Sequence, residues 1–452
     1  MALKQMDALA ALREAAGEVI ETSLCDVQGS WLALVNTEEG KRLAFAAKGE
    51  AALSALWKDV EKEADIKDVH VSVMALNANN AALVRRYVKW TAPTACGTKG
   101  ASIGFSDWLG EADAVVAELF GKRQLKPVLV DFTTEDSEAL QRYFVQAVDT
   151  ATWGVLEEGY KEGYGANAAG LKTEEEIVKA LLYGYSMIGF DCSDKIDLGI
   201  EKLSDEAVDK RFEQFNETFR AALHASYLNA EFKVGTSKIT FTENQLHRIV
   251  LEYGEAIMHI QFIYNSYLKN TPWDIDFELD LSKPGKVLTP QEHYLIGNEL
   301  QRNGIKLSSI CLDPLKDSEA VNDNLQLHCE IADTFGYRLS FKNADIAMND
   351  TAAAMKYLKG KVHFKMNNIL WMSAIELVKA LDADLFGKLC AACGCEATAD
   401  AADRALVLGY RKALNPKEES NVAADMKAFL EAHHAEYAAA IKENVAAKLK
   451  NI

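Results

Sequence analysis

Residues 275–312 read IDFELDLSKPGKVLTPQEHYLIGNELQRNGIKLSSICL, and this stretch decides the fold class. Its first run, Ile275–Leu281, and its last, Lys306–Leu312, are short and rich in apolar residues, as β-strands are. Between them, Thr289 is placed to cap a helix that Gly304 ends. A strand, a helix and a second strand in direct succession predict a parallel β-α-β unit.

The same alternation of short strands and helices extends from about residue 91 to about residue 385. Regular alternation of this kind is typical of a parallel sheet with helices outside it. Seven candidate strands, one short of eight, favour an α/β fold of the closed (β/α)8 TIM-like barrel type over an open doubly wound sheet. The five further predicted strands are Ala101–Phe105, Pro127–Phe132, Ser186–Asp191, Tyr337–Phe341 and Lys361–Met366.

Two smaller segments flank the predicted barrel, which we place at residues 91–385. We expect a small N-terminal α/β unit at residues 1–90 and a C-terminal helical extension at residues 386–452. A helical insertion, roughly Ser204–Asn270, interrupts the barrel. The elements expected in the N-terminal unit are a helix over residues 5–22, strands at Ser30–Val35, Arg42–Ala47 and Asp68–Ala75, and a charged helix near Ala51–Ala64.

The composition argues against several classes of protein. Among 452 residues, 67 acidic and 49 basic side chains give a formal charge of −18, whereas nucleic-acid-binding domains usually present a basic face. No run of about 18 apolar residues predicts a membrane span, and the scattered charges at the start do not resemble a secretory signal. Eight thinly spread cysteines indicate reduced thiols and a cytoplasmic protein. A small anionic substrate and an oligomeric assembly remain compatible with this composition.

Polar side chains gather at the ends of the predicted strands, where a (β/α)8 barrel carries its chemistry. Such groups can bind an oxyanion or a divalent cation, or act as general acid and base. A single carboxylate at a strand end more often has an ordinary solvated or capping role. Glu278 and His363 stand out because each lies inside an apolar strand, where a polar side chain needs a partner. The residues concerned are Asp131, Asp191, Asp276, Glu278, Asp280, Asp313, Lys342, Asn343, His363 and Lys365.

Two other patterns give weaker signals. Cys390, Cys393 and Cys395 resemble half of a zinc site, but no second cysteine pair or nearby histidine completes four ligands, so thiols buried between helices are favoured. The glycines of Cys96–Gly104 could surround an anion, yet they do not form the strand–helix phosphate fingerprint. His328 lies on a predicted helix between strands, where a structural role is favoured.

A more specific pattern occurs at Asp149–Lys172, which reads DTATWGVLEEGYKEGYGANAAGLK. This segment resembles the bacterial tagaturonate epimerase family, which interconverts the hexuronates tagaturonate and fructuronate. The resemblance implies a metal-dependent barrel enzyme that acts on a sugar acid. It covers roughly residues 30–385 and continues through Tyr185–Asp194, Trp273–Leu281, Thr289–Gly304, His328–Ser340 and Val362–Lys365.

The resemblance carries over to some residues and fails at others. Glu278 matches the family's strand glutamate, an acid or base, and His363 and Lys365 match its late-strand His-x-Lys. His259 and His293 also fit family positions. Elsewhere this sequence has other residues where the family pattern expects its own. Lys342 stands where the family has a histidine after the strand ending in Leu-Ser, and Ala169-Gly170 stand where it has Asp-His after the GYGA run. Lys195 replaces a further histidine, and the family's Asp-Arg pair is missing near Gly97–Gly104.

These features together predict a hexuronate epimerase, an isomerase, with Glu278 and His363 as catalytic residues. Lys365, Lys342, Asp191 and Asn343 are the expected substrate-binding residues. The resemblance implies a divalent metal cation, but the replacements leave its ligand set incomplete, with His363 as a remaining member. A lysine ammonium has no lone pair and repels a metal by like charge. The alternative is therefore a catalytically silent paralogue that binds a sugar acid or a protein partner without turnover.

Overall fold

The structure is a computed structural model that describes residues 2–49, 53–121, 125–281, 288–315, 323–348, 351–400, 402–450 and 452. The strands in these ranges belong to three sheets, one of which is a closed barrel. In chain order they are β1 Glu18–Val27, β2 Ser30–Thr37, β3 Gly40–Lys48, β4 Val60–Ile66, β5 Val69–Met74, β6 Ser102–Phe105, β7 Lys126–Thr133, β8 Gly165–Leu171, β9 Met187–Asp191, β10 Phe232–Val234, β11 Ser237–Ile239, β12 Asp276–Asp280, β13 Ser309–Leu312, β14 Arg338–Phe341 and β15 Val362–Met366.

The α-helices surround the barrel and build the segments beside it. Many begin at a side-chain cap such as Thr289, whose hydroxyl accepts the N–H of Glu292 while Glu292 accepts the N–H of Thr289. In chain order they are α1 Gln5–Ala16, α2 Ala78–Tyr87, α3 Asp113–Phe120, α4 Thr134–Leu140, α5 Phe144–Glu158, α6 Glu174–Leu182, α7 Asp205–Phe212, α8 Glu217–Tyr227, α9 Glu243–Ile263, α10 Pro290–Arg302, α11 Leu325–Phe335, α12 Ala344–Ala347, α13 Thr351–Tyr357, α14 Ile369–Leu381, α15 Ala383–Cys393, α16 Arg404–Leu408, α17 Tyr410–Ala413, α18 Ala423–Ala432 and α19 His434–Leu449.

Eight parallel strands close the barrel in the order β12-β13-β14-β15-β6-β7-β8-β9. Closure occurs between β15 and β6, where His363 pairs with Ser102 and Lys365 with Gly104. The predicted TIM-like barrel is therefore confirmed, and so are all seven predicted strands. The eighth strand, β8, was not predicted, because its sequence GANAAGL contains no β-branched residue.

The interior of the barrel is polar, while its outer wall is apolar. Along β12, Phe277 and Leu279 belong to the large hydrophobic core shared with the surrounding helices. The alternate residues Asp276, Glu278 and Asp280 are also buried, but their side chains lie on the opposite, inner face. Because a buried carboxylate needs a partner, the interior must hold compensating donors and cations.

A five-stranded antiparallel sheet of order β1-β2-β3-β5-β4 forms the N-terminal unit. Alternation along β2 places Ala33 and Val35 in a core beneath α1, and Leu32 and Leu34 in a second core on the other face. That second core includes Trp153 and Leu156 of α5, so it joins the sheet to a helix of the barrel.

Two predictions for the N-terminal unit are wrong. The helix expected over residues 5–22 ends at Ala16, because Gly17 takes a φ of +102° and the chain enters β1. The charged helix expected near Ala51–Ala64 is replaced by β4, whose side chains are mostly exposed. This strand lies at the edge of the sheet, where charged side chains are typical. Residues 51 and 52 lie outside the described ranges.

The predicted insertion contains α7, α8 and α9 together with the hairpin of β10 and β11. The tail contains α15 to α19, and α19 packs against α14 of the barrel. Both segments are predominantly helical, as expected. The domain boundaries at residues 90 and 385 stay predictions. Within the described part of the chain, no helix has the length and apolar character needed to cross a bilayer.

Candidate active site at the mouth of the barrel

A cavity of about 760 Å³ lies at the carboxyl ends of the barrel strands. This is the end at which barrels of this type carry their active sites. A second cavity, of about 630 Å³, lies at the opposite end, near the strand starts at Asp276 and Ser308. The charged residues that line the first cavity are Asp131, Glu135, Asp136, Glu138, Glu176, Asp191, Asp194, Asp280, Asp313, Lys172, Lys342, Lys365 and Arg411.

The three acidic residues of β12 lie at three depths in the barrel. Asp276 is at the far end, where its carboxylate accepts the N–H groups of Cys96 at 2.6 Å and of Gly97 at 3.0 Å. Glu278 lies in the middle layer, and Asp280 lines the cavity at the mouth. The shared face predicted for these residues is therefore present, but Asp276 belongs to a separate, satisfied site.

Lys365 of β15 lies at the floor of the cavity between two carboxylates. Its Nζ donates to Glu278 and lies 3.7 Å from Oδ1 of Asp131. Only 2% of the lysine side chain and 1% of each carboxylate side chain are exposed. Burial alone would lower the pKa of Lys365, but Asp131 and Glu278 hold it above its ordinary value. The lysine therefore stays charged.

The two carboxylates beside Lys365 have opposite pKa shifts. Burial raises the pKa of Asp131, although Lys365 opposes it. Burial also acts to raise the pKa of Glu278, but the charge and hydrogen bond of Lys365 and the hydrogen bond of the Ser309 hydroxyl hold it below its ordinary value. Two neighbouring carboxyl groups whose environments drive their pKa values apart are a common arrangement for a general acid and a general base.

Two side-chain amides hold Asp131 in place, and the lack of a side chain at Gly104 leaves room for it. Asn167 of β8 donates to its Oδ1 at 2.9 Å, and Asn367 lies 3.3 Å from its Oδ2. A Cβ atom at Gly104 would lie 2.5 Å from Oδ2 of Asp131 and 3.2 Å from Cε1 of His363. Glycine at position 104 is thus the residue that leaves room for this carboxylate.

A second lysine–carboxylate pair lies nearer the rim, where Lys342 donates to Asp280. Burial alone would lower the pKa of Lys342, but Asp280 keeps it well above its ordinary value. The next residue, Asn343, has a φ of +50° and donates to Oδ1 of Asp313 at 3.3 Å. Asn368 in turn donates to Asn343 at 3.2 Å, so the rim amides are held in a fixed arrangement.

On the other side of the mouth, Asp191 ends β9 and lines the cavity. Its Oδ1 accepts the N–H of Ser193 at 2.8 Å, and its Oδ2 lies 3.6 Å from Nζ of Lys172. Lys172 also donates to Asp194 at 2.9 Å, which together with Asp191 raises the pKa of the lysine. Lys342, Asn343, Lys365 and Asp191, the four predicted substrate-binding residues, therefore line one cavity.

The two predicted catalytic residues lie beneath that cavity and do not line it. Glu278 reaches the cavity only through Lys365. His363 is fully buried, and its Nδ1 lies 2.9 Å from Oγ of Ser102, to which Arg338 also donates at 2.8 Å. Burial and the nearby Lys365 lower the pKa of His363 to about 3, so its imidazole is neutral. Among the described residues, its Nε2 has no hydrogen-bond partner.

Some residues at the mouth were not predicted. Tyr410 and Arg411 of the short helix α17 form one wall of the cavity. Nε of Arg411 donates to Oδ1 of Asp136 at 2.8 Å, and the Tyr410 ring stacks on Trp108 with centroids 3.3 Å apart. These contacts join positions more than 270 residues apart, so local sequence patterns contain no signal for them.

Residues 20–436 match the tagaturonate epimerase family. The chain belongs to this family. It is similar to the tagaturonate/fructuronate epimerase of Thermotoga maritima, with 27% identity over 383 residues that cover 82% of this chain and 78% of the relative. It is also similar to the crystal structure of fructuronate-tagaturonate epimerase from Cohnella laeviribosi, with a TM-score of 0.84 and 25% identity over 98% of each chain. The family resemblance and the barrel fold are thereby confirmed.

The other positions predicted to match the tagaturonate epimerase family lie away from the cavity lining. His293 is buried on α10, with Nδ1 at 2.8 Å from Nδ1 of His328, which is buried on α11. His259 of α9 packs on Phe190. Lys195, predicted to replace a family histidine, pairs with Glu255 at 2.9 Å.

The residues at the mouth do not fit the divalent metal that the family resemblance implies. In the described ranges, one group of three metal-ligating side chains has its ligand atoms within 4.8 Å of one another, and it lies in the insertion: His224, Glu243 and His247. At the mouth, the ammonium groups of Lys342 and Lys365 contact the carboxylates that a metal would use. The charges of Lys365 and Arg338 both act on His363 and disfavour a metal at its Nε2.

Proposed function

We propose that this chain is an active epimerase that interconverts tagaturonate and fructuronate in the cavity at the barrel mouth. Membership of the tagaturonate epimerase family supports the substrate class. The observation that carries the proposal is the buried Asp131–Lys365–Glu278 arrangement at the floor of the cavity. It offers a permanent cation that can stabilise an oxyanion and two carboxyl groups of different basicity that can exchange protons with a hydroxyl group.

The chemistry of the substrates defines the required groups. The two hexuronates differ at a carbon β to the ketone, and this carbon bears a hydroxyl group. A base that removes the hydroxyl proton allows the bond between this carbon and the α carbon to break, and the electron pair moves to the ketone oxygen. Rotation of the resulting aldehyde and re-addition invert the carbon. The reaction therefore needs a base at the hydroxyl group and a cation at the ketone oxygen.

We assign these roles to the residues at the cavity floor. Lys365 stabilises the developing oxyanion, because it is charged, largely shielded from water and fixed by two carboxylates. Asp131 lines the cavity and exchanges the hydroxyl proton directly. Glu278, which accepts a hydrogen bond from Lys365, keeps this ammonium group charged and in place beneath the substrate. His363, neutral and hydrogen-bonded to Ser102, supports this layer from below.

The rim binds the ends of the sugar acid. Although the lining contains more acidic than basic groups, Lys342 is placed there to meet the substrate carboxylate. Asn343 and Asp191 have the polarity to hold substrate hydroxyl groups. Because Lys342 pairs with Asp280, and Lys365 lies between Asp131 and Glu278, we propose that turnover does not require a divalent metal. Free thiols at all eight cysteines fit the proposed cytoplasmic location.

The direct test follows fructuronate formation from tagaturonate by NMR with the purified chain. We expect turnover that EDTA does not abolish, and a kcat at least about 100-fold lower in Glu278→Gln. Lys361→Met is a control, because Lys361 precedes β15, the strand of Lys365, but pairs with Asp333 at the surface. An unchanged rate in Glu278→Gln would contradict the role of this carboxylate.

The replacement of the family's histidine by Lys342 favours a second candidate, a silent paralogue that binds a sugar acid or a protein partner without turnover. Calorimetric titration with tagaturonate separates the two candidates. Binding without turnover, both in EDTA and with added Mn²⁺ or Zn²⁺, would support the silent paralogue. Turnover only with added metal would refute the metal-independent reaction but keep the epimerase.

A further inference from the structure

The helical insertion brings together three side chains that the proposed reaction does not use. His224 comes from α8, and Glu243 and His247 come from the first turns of α9, four residues apart and hence on one helix face. Their ligand atoms all lie within 4.8 Å of one another. His247 is buried, His224 is partly buried and Glu243 is exposed, so the cluster opens to solvent on one side.

The two imidazoles face each other through the nitrogens that a metal would use. Nε2 of His224 lies 2.9 Å from Nε2 of His247. Nδ1 of His247 lies 2.7 Å from Oδ1 of Asp209, so Nδ1 carries the proton and donates it to the carboxylate. The lone pair of neutral His247 is therefore on Nε2, directed into the cluster. Histidines that bind a metal usually donate their other ring N–H to a carboxylate in this way, which fixes the orientation of the ring.

The ring of His247 is also held by packing. It stacks on Phe212 of α7 with centroids 3.8 Å apart and an interplanar angle of 14°. The ring of His224 is stacked nearby, with a centroid 5.6 Å from that of Phe212. Both rings therefore have their orientations fixed before any ligand binds, which lowers the entropy cost of binding.

We propose that His224, His247 and Glu243 form a binding site for a divalent transition metal, of which Zn²⁺ is the best match. Two imidazoles and one carboxylate suit Zn²⁺, with water as the fourth ligand of a tetrahedron. Zinc–nitrogen bonds of about 2.0–2.1 Å place tetrahedral nitrogens about 3.3 Å apart. The two nitrogens need to separate by a few tenths of an ångström from the hydrogen-bonded distance, and the exposed side of the cluster leaves room for His224 to turn its lone pair toward the metal.

The metal links α8 to α9 directly, and α7 through Asp209. These helices form the insertion beside the barrel, and the three ligands do not line the mouth cavity. The site therefore stabilises the insertion and takes no part in the proposed reaction. It goes beyond the proposed function and can be tested without measuring turnover.

Zinc titration of the EDTA-treated, dialysed full chain tests the site. We expect one equivalent of Zn²⁺ per chain in the wild type and in the control His434→Gln, since His434 is exposed on the tail helix α19. His224→Gln, which removes a partly exposed ligand, should abolish this equivalent or weaken it by more than about 100-fold, and Asp209→Asn should weaken it by about 10- to 100-fold.

Cobalt gives an independent signature, because tetrahedral Co²⁺ bound to histidine absorbs strongly in the visible range. Co²⁺ added to the wild type should produce this spectrum, and His224→Gln should not. Circular dichroism of each metal-free variant checks that the chain is folded. Absence of a stoichiometric equivalent in the wild type, or equal affinity in folded His224→Gln, would overturn the proposal.

Discussion

Replacing Lys365 by Met would test the central feature of the site. Methionine fills a similar volume but removes the ammonium group that separates Asp131 from Glu278. Two carboxylates with side chains about 1% exposed would then share a buried layer without their cation. Removing one partner of a buried ion pair costs about 3–5 kcal/mol of stability. We therefore expect a folded but strongly destabilised barrel with no turnover.

The cost of this substitution should depend on pH. In the wild type, the lowered pKa of Glu278 contributes stability that is present above the unfolded value of about 4.3 and is lost as the pH falls. Without Lys365, burial and Asp131 raise the pKa of Glu278 in the folded state, so the pH dependence of stability changes sign. The variant then loses stability as the pH rises from about 5. A rise of two pKa units corresponds to about 2.7 kcal/mol.

Urea unfolding at pH 5, 6, 7 and 8 would measure this dependence. The deficit of Lys365→Met should be about 1.5–2 kcal/mol larger at pH 8 than at pH 5, because part of the loss has already occurred at pH 5. The double variant Glu278→Gln/Lys365→Met should recover part of the stability lost at pH 8, because one of the two buried charges is absent. Lys361→Met, which breaks an exposed pair, should cost about 0–1 kcal/mol. A stability deficit of Lys365→Met that is the same at pH 5 and pH 8 would refute the reasoning.

Two further substitutions address Asp131. Gly104→Ala should displace this carboxylate, because the new Cβ would lie 2.5 Å from Oδ2 of Asp131. We expect the free energy of unfolding to fall by about 1–3 kcal/mol and kcat to fall far more than KM changes. Urea unfolding and steady-state kinetics on one preparation would measure both. Asp131→Asn should lower kcat at least about 100-fold and remove the acid limb of the pH–rate profile, since burial raises the pKa of Asp131; a profile that keeps this limb would assign it to another group.

The barrel could be predicted from the sequence because its strands alternate with well-capped helices. Thr289 and Gly304 marked one helix, and the structure has that helix at Pro290–Arg302. Strand β8 gave no such signal. It contributes Asn167 to the interior, and its Ala169 lies so close to β9 that a Cβ at Gly189 would be 3.0 Å from the Cα of Ala169. Small residues are needed there, and they lack β propensity.

The candidate site could be predicted only in part. Period-two spacing predicted that Asp276, Glu278 and Asp280 share one face and that His363 and Lys365 share one face, and both sets lie on the inner face of the barrel. Spacing does not give depth, however, so it did not reveal that Glu278 and His363 lie beneath the cavity. Arg411 and Tyr410 reach the mouth from the tail through contacts with Asp136 that follow from tertiary packing alone.

The predicted replacement of a family histidine by Lys342 leads to a last prediction. Lys342 follows β14, and its backbone N–H bonds to Leu312, so its side chain starts from a fixed point beside Asp280. An imidazole is shorter than a lysine side chain. A metal ion bonded to its nitrogen at about 2.0–2.1 Å would extend the reach to the place where the ammonium group lies. The ammonium group of Lys342 thus neutralises Asp280, as a metal ion bound to a histidine at this position would.

Lys342→His should therefore convert a carboxylate–ammonium pair into part of a metal site that includes Asp280. The variant is best made together with His224→Gln, so that the insertion does not contribute metal. We expect it to bind Zn²⁺ or Mn²⁺ in calorimetric titration, with turnover that EDTA suppresses. Lys342→Gln in the same background removes the same charge without supplying an imidazole nitrogen. If Lys342→His binds no more metal than Lys342→Gln does, the ammonium group has not replaced a metal at this position.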